Sequence, residues 1–334
     1  MAINIDIFKP QVSVVAKGLA GKKIFIYGGN NVGKSYAAAH MSKPFFLACE
    51  NGLNALPGIM YAPISNWRDV KKVVKQFTDK STVDKAREMY DTIVIDEVYA
   101  SSLFCQDYVM ATYGNGALTL ADGDSKHNLY SIYEKEYFKM INLLVSCDYT
   151  ICFIGHAQEK DNKMWPKGDK RCINPIVDTC DFVIYVKSNG VDENGHLIKS
   201  SGYLVETDKW FARSRFTYCP EKIEEFSAEN LEKAVIEAIE NEEKASGIAA
   251  VSFDEQKAMN AAPTLDFNEL MEEIKTLGRA FGEAGKLDIL TEIVESTLGS
   301  GKKVTECTKK QAEAVAVIRD DLTDKAKELG LLNN

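Results

Sequence analysis

Gly28-Gly29-Asn30-Asn31-Val32-Gly33-Lys34-Ser35 follows directly on the apolar run Ile24-Phe25-Ile26-Tyr27. The spacing Gly-x4-Gly-Lys-Ser is that of a phosphate-binding P-loop. Glycines let the backbone close around a phosphate with several N–H groups turned inward. The alanine-bearing stretch Lys34–Met41 predicts a helix whose positive end faces the same oxygens. Strand, loop and helix therefore occur in the order that the chemistry needs. Lys34 is placed to reach the β- and γ-phosphates of a nucleotide, and the Ser35 hydroxyl to ligate Mg²⁺. All eight residues, Gly28, Gly29, Asn30, Asn31, Val32, Gly33, Lys34 and Ser35, form the candidate cradle. Asn30 and Asn31 stand where glycine or proline is common, and asparagine tolerates the left-handed backbone angles such a loop requires.

Outward from this loop, short apolar runs alternate with helical segments. Strands are expected at Lys23–Tyr27, Pro44–Ala48, Thr92–Ile95, Thr150–Ile154 and Phe182–Val186. Helices are expected at Asp69–Phe77, Val83–Met89, Val98–Tyr113 and Leu129–Ser146. Polar loops are expected at Gly114–Lys126 and Ala157–Asn174, and a turn at Asp192–Gly195 with a hairpin return at Tyr203–Thr207. Near-continuous apolar strands between helices predict an α/β fold with a mostly parallel central sheet covered on both faces. After Pro220 the pattern changes to helices alone: Ile223–Glu243, Leu265–Phe281, Leu287–Leu298 and Lys309–Leu329, with Ala245–Thr264 as a linker. The expected division is residues 1–220 as the nucleotide-binding core, 221–264 as acidic helix and linker, and 265–334 as a small helical module.

Several side chains fall where strands end, the rim at which open α/β sheets place their sites. Asp96 closes the run Thr92-Ile93-Val94-Ile95 and can hold the magnesium shell. The chain between Lys34 and Asp96 leaves room for an intervening strand. Glu50 after the second run and Glu97 after Asp96 both qualify as general base for an attacking water. His156, at the end of Ile151-Cys152-Phe153-Ile154-Gly155, can hydrogen-bond a phosphate or that water, and Gln158 is a second candidate. Arg213 and Arg215 sit two apart on an extended segment and so project alike. Their guanidinium groups suit phosphate charge, supplied to a neighbouring subunit's nucleotide. Lys160, Lys163, Lys167, Lys170 and Arg171 surround Trp165, and this mixture of cations and one aromatic suits single-stranded nucleic acid.

The chain has 334 residues, with a formal net charge of -9 and 45% hydrophobic residues. An acidic balance argues against a broad basic coat for nucleic acid and leaves room for a local patch. The eight cysteines form no Cys-x-x-Cys pair, which predicts reduced thiols in a cytosolic protein. Met1–Pro10 has no basic start before an apolar stretch, and no run reaches the length of a membrane helix. No Asn-Lys-x-Asp guanine reader is present, so ATP is the expected nucleotide.

Gly28–Ser35, Glu50, Ile93–Asp96, His156 and the Arg213/Arg215 pair together resemble the RecA-like core. More narrowly, residues 15–220 look like the phage-encoded RecA-core ATPases of the Sak group, a group of phage nucleotide-binding, AAA-family proteins. The resemblance implies an ATP- and Mg²⁺-dependent ATPase that assembles as a ring or filament on single-stranded DNA, which stimulates it. It implies a role in annealing or strand exchange during phage recombination, in the cytoplasm of an infected or lysogenic host, and a single-strand-binding protein as a further partner. In RecA-like proteins the glutamate after the second strand activates water, which favours Glu50 over Glu97. The family's finger motif carries a lysine, as Lys-x-Arg or Lys-x-Lys, where this chain has Arg-x-Arg. Thr305-Glu306-Cys307-Thr308-Lys309-Lys310-Gln311-Ala312 is similar to a small helical module at the ends of several phage recombination proteins. Two other readings fit a P-loop: a nucleotide-gated assembly or helicase-loader protein, and a small-molecule kinase. The kinase reading requires an arginine-rich lid that the chain lacks.

Overall fold

The computed structural model describes residue 8 and residues 10–123, 128–260 and 265–332. In chain order the elements of the first unit begin with β1 (Lys23–Gly28), α1 (Lys34–Ala39), β2 (Pro44–Ala48), β3 (Met60–Pro63), α2 (Trp67–Thr78) and α3 (Val83–Met89). Then come β4 (Thr92–Asp96), α4 (Val98–Tyr113), α5 (Leu129–Val145), β5 (Thr150–Lys160), β6 (Lys163–Pro166), α6 (Lys170–Thr179) and β7 (Phe182–Lys187). β8 (Ser201–Tyr203), β9 (Arg213–Ser214), β10 (Lys222–Ile223), α7 (Ala228–Ser246) and α8 (Phe253–Asn260) complete it.

The sheet runs β10-β8-β7-β1-β5-β4-β2-β3, with the six strands from β7 to β3 parallel. The chain between Lys34 and Asp96 holds β2 and β3, and β5, from later in the sequence, lies between the P-loop strand and the Asp96 strand. Strand alternation sorts the core into two layers. Phe25, Tyr27, Ile93, Ile95, Ile151 and Phe153 face the buried sides of α2, α4, α5 and α6. Ile24, Ile26, Val94, Cys152, Ile154 and Ile184 face α1 and α7. The result is an α/β/α sandwich with the RecA-like P-loop fold.

Four expectations change. The loop expected over residues 157–174 is instead the continuation of β5, a turn at Asp161-Asn162, β6 and the start of α6. Alternating Gln158, Lys160, Lys163 and Trp165 is polar enough to read as loop, yet it pairs as a hairpin that continues a core strand. β3, a short edge strand in the run Ile59–Ile64 with Met60 and Tyr61 exposed, was not expected. The hairpin return, expected at Tyr203–Thr207, is shorter and begins two residues earlier, at Ser201–Tyr203. Nor is the region after residue 220 set apart from the sheet. α7 buries Leu231, Val235 and Ile239 against it, Val251 bridges to Ala16, and the compact unit runs Gln11–Met259. Within the expected linker, residues 261–264 lie outside the described residues, as do Asp124 and Lys126 of the other expected loop.

Residues from 260 onward form a second compact unit. Its helices are α9 (Phe267–Glu283), α10 (Leu287–Leu298) and α11 (Ala312–Glu328), packed around Leu270, Phe281, Val315 and Leu322. Asp266 caps α9 through its side chain. Among the described residues no helix is long and apolar enough to cross a membrane.

Candidate functional site

The P-loop turns on two backbone constraints. Gly28 ends β1 so close to β7 that an added Cβ would lie 2.2 Å from the Val186 carbonyl oxygen. Asn31 and Gly33 take left-handed angles, φ 57° and 88°, which an asparagine and a glycine tolerate. α1 then begins at Lys34. Its ammonium is largely buried and donates to the Gly28 and Gly29 carbonyls at 3.2 and 2.6 Å. Burial pushes that ammonium below the usual lysine range, and the carboxylates of Asp96, Glu97 and Glu50 pull it back.

Register brings the partners in. Gly28 pairs with His156, and Asp96 with Ala48 on one side and Ile154 on the other. The alternation that points Val94 and Ile154 toward α1 does the same for Asp96 and His156. The Ser35 hydroxyl interacts with the Asp96 carboxylate, whose Oδ2 is buried with no hydrogen-bond partner among the described residues. A hydroxyl and an orphaned carboxylate oxygen beside a phosphate loop are the oxygen donors that Mg²⁺ takes. Ser35 and Asp96 therefore fit a magnesium ion. Burial raises the Asp96 carboxyl above the ordinary aspartate range, against the bond from Ser35 that lowers it.

One ligand atom each of Glu50, Glu97 and His156 lies within 4.8 Å of the others. Their environments differ. Glu97 is 1% exposed, and its two carboxylate oxygens accept the Tyr99 and Ala100 N–H groups at 3.1 and 2.9 Å, capping α4. Burial raises its carboxyl above the usual range, with those two bonds opposing. Glu50 is open to solvent, and its Oε2 lies 3.3 Å from His156 Nε2. Of the two glutamates, Glu50 is the one open to solvent, while each Glu97 oxygen already accepts an N–H of α4.

The basic cluster is ordered by contacts of its own. Trp165 stacks on Phe211 with centroids 5.1 Å apart. Lys163 pairs with Glu206 and lies over Trp165 at 5.0 Å. Lys167 lies over Tyr99 at 4.9 Å, and its N–H donates to the His156 carbonyl at 2.8 Å. Arg171 lies over Tyr130 at 4.4 Å and bonds Asp169 at 3.4 Å. Lys160 and Lys170 are exposed. Gln158 donates to the Pro166 carbonyl across the hairpin rather than facing the phosphate loop.

Arg213 and Arg215 are not brought to the P-loop of their own chain. β9 pairs Arg213 with Val183, level with Phe25, toward the amino end of the strands. Arg215 donates to the Asp178 carbonyl at 2.6 Å and lies 3.8 Å from Asp181.

Sequence reasoning passed over Tyr27. It is buried immediately before the P-loop, and its hydroxyl donates to the Phe211 carbonyl and lies 3.2 Å from the Met164 carbonyl. It ties the phosphate strand to β6 and to the segment paired with it. A tyrosine inside an otherwise apolar strand was the available signal, because a buried phenol needs a partner.

Residues 20–216 match the AAA domain family. The SPbeta prophage-derived uncharacterized protein YorG of Bacillus subtilis (strain 168) is 50% identical over 97% of this chain and 99% of its own length. A solved ATPase from the type III secretion system of pathogenic bacteria is 14% identical, with a TM-score of 0.37 over 64% of this chain and 61% of that one. The chain belongs to the AAA domain family.

Proposed function

We propose that this AAA domain protein is a phage recombination ATPase that hydrolyses ATP on single-stranded DNA, assembling with copies of itself. The observation that carries the reading is the Glu50–His156 contact where β5 leaves the central sheet, because that strand runs on without a break into the basic hairpin. A hydrolytic centre and a candidate DNA element are thus one piece of backbone. The prophage setting of YorG supports the phage assignment.

In this reading Lys34 and the N–H groups of residues 29–35 hold the phosphates. Ser35 and Asp96 would hold Mg²⁺, which when bound neutralises charge on the transferred phosphoryl group. Glu50 takes the proton of the attacking water, and His156 fixes the carboxylate. A change at Glu50 reaches Lys167 through the His156 carbonyl, and Tyr27 holds the far strand of the hairpin to β1. Lys160, Lys167 and Lys170 meet phosphate charge, while the Trp165–Phe211 stack stiffens the platform.

ATP turnover measured with and without single-stranded DNA over a salt series tests this. Stimulation that fades as salt rises is expected, since phosphate contacts release counterions. Tyr27→Phe should keep the basal rate and lose most of the stimulation. Absence of both stimulation and DNA binding at low salt overturns the recombination reading, and DNA binding without turnover indicates a loader.

A further inference from the structure

A groove of about 1370 Å³ opens beside the P-loop and reaches along α1. Asn31 and Gly33 line the end nearest the loop. Tyr36, the residue directly after Ser35, stands in it with 57% of its surface exposed, unusual for an aromatic on a helix packed against a sheet. It is braced from behind. His40 Nδ1 lies 2.8 Å from the Tyr36 carbonyl, which can only accept, so Nδ1 carries the proton and the imidazole is fixed at the helix end. The two rings sit 4.2 Å apart at 34°.

The facing wall comes from the connection between β7 and β8. Leu197 and Ile198 line the same groove and are 80% and 43% exposed. Their backbone is ordered: Val191 bridges Leu197, and Asp192 N–H donates to the His196 carbonyl at 2.8 Å. Because β7 runs parallel to β1, with Val186 beside Gly28, this connection leaves the sheet at the P-loop end. Lys199, on the same connection, lines the groove as well. Its ammonium is paired with Glu225 at 2.6 Å, and both residues line the groove. Three large exposed side chains, Tyr36, Leu197 and Ile198, thus line one groove beside the P-loop.

We propose that this slot takes the nucleobase of the bound nucleotide, laid flat on Tyr36 and covered by Leu197 and Ile198. The proposal rests on the P-loop reading and adds the base-recognising residues to it. Continuity with the cradle identifies the occupant: a nucleotide held by its phosphates at Gly33 to Ser35 has its ring next to the first helical side chains. An aromatic face with aliphatic cover selects for a planar ring by area and stacking.

Titration calorimetry with Mg²⁺ separates base from phosphate, using ATP and inorganic tripolyphosphate as the two probes. Tyr36→Ala should weaken ATP roughly 10-fold or more, from the loss of one stacked base, and leave tripolyphosphate unchanged. Tyr36→Phe should bind ATP like the parent chain, and Leu197→Ser should weaken ATP alone. Lys34→Ala should lose both probes. Equal ATP affinity in Tyr36→Ala and the parent, or equal loss of both probes in Tyr36→Ala, overturns the base slot. A parent chain that ignores tripolyphosphate, or a Lys34→Ala chain that still binds it, overturns the phosphate cradle instead.

Discussion

At the amino rim of the parallel sheet the polar groups close on one another, whereas at the carboxyl rim they are left aimed outward. Below, the Lys23 N–H donates to Asp181 at 2.8 Å, and Arg215 reaches Asp178 and the same Asp181. The Thr150 hydroxyl donates to the Leu19 carbonyl and accepts the Gly21 N–H, and Arg87 meets Asp148 at 2.6 Å. Above, among the described residues, Asp96 Oδ2 is buried without a partner and solvent-open Glu50 meets His156. A buried polar atom left unsatisfied costs roughly 1–3 kcal/mol, more if charged. Among the described residues the amino rim leaves a neutral phenol, the Tyr149 hydroxyl, without a partner, whereas the carboxyl rim beside the P-loop leaves a carboxylate oxygen so. An unsatisfied carboxylate marks the carboxyl end of this sheet, and paired charges its foundation.

The contrast can be broken most forcefully at the two glutamates. Glu50→Gln should lower turnover by about 10²–10⁴-fold, the usual worth of a general base, with ATP affinity retained. Glu97→Gln should keep most turnover and lose stability instead, by ~1 kcal/mol as a weakened helix cap. Single-turnover rates and melting curves on both variants check this. The reverse pattern, with Glu97→Gln inactive and Glu50→Gln active, would show that the capping carboxylate leaves α4 during catalysis.

The sandwich and its cradle were legible because each step had a local cause. Apolar β1, Gly28 to Ser35 and Asp96 behave as their sequence patterns dictate, and Asn31 takes the left-handed angle expected of it. The residues alone did not separate Glu50 from Glu97, whose environments differ through a helix cap made by two N–H groups that appear only once α4 is built. The hairpin beyond Gln158 was illegible because polar alternation on a solvated ribbon has no apolar period to reveal it. For Arg215 the illegible part was long-range: Asp178 and Asp181 meet it through the pairing of β9 with β7, which no spacing announces.

A smaller effect should come from Asp96→Asn. Burial holds the Asp96 carboxyl above its ordinary range, so the folded state binds the proton more tightly than the unfolded chain does. Its carboxylate form therefore costs stability, increasingly as pH rises from the ordinary aspartate value through the raised one. Asparagine removes that charge. In the absence of nucleotide and Mg²⁺ the variant should melt higher near neutral pH, by about 1–3 kcal/mol, and the gain should vanish below the ordinary aspartate value. Mg²⁺-dependent tightening of ATP binding should be lost at the same time. A variant that melts lower at neutral pH would mean that the carboxylate is satisfied in the folded chain, and the two rims would then differ less than the geometry indicates.

The smallest effect is expected at the foundation. Arg215→Ala removes a bond to the Asp178 carbonyl and a partly exposed ion pair with Asp181, contacts worth ~1 kcal/mol or less together. Within one chain it should lower the melting temperature slightly and leave turnover unchanged, since Arg215 sits toward the opposite end of the strands from Lys34. Assembly sharpens the test, because an arginine idle in its own subunit can still meet a neighbour's phosphates. If Arg215→Ala loses turnover, it should be mixed with Lys34→Ala subunits, which keep the arginine but lack the cradle lysine. Activity restored by mixing assigns the arginine to the neighbour's nucleotide and makes the amino rim a second working surface. Activity unchanged in Arg215→Ala alone leaves that rim wholly structural.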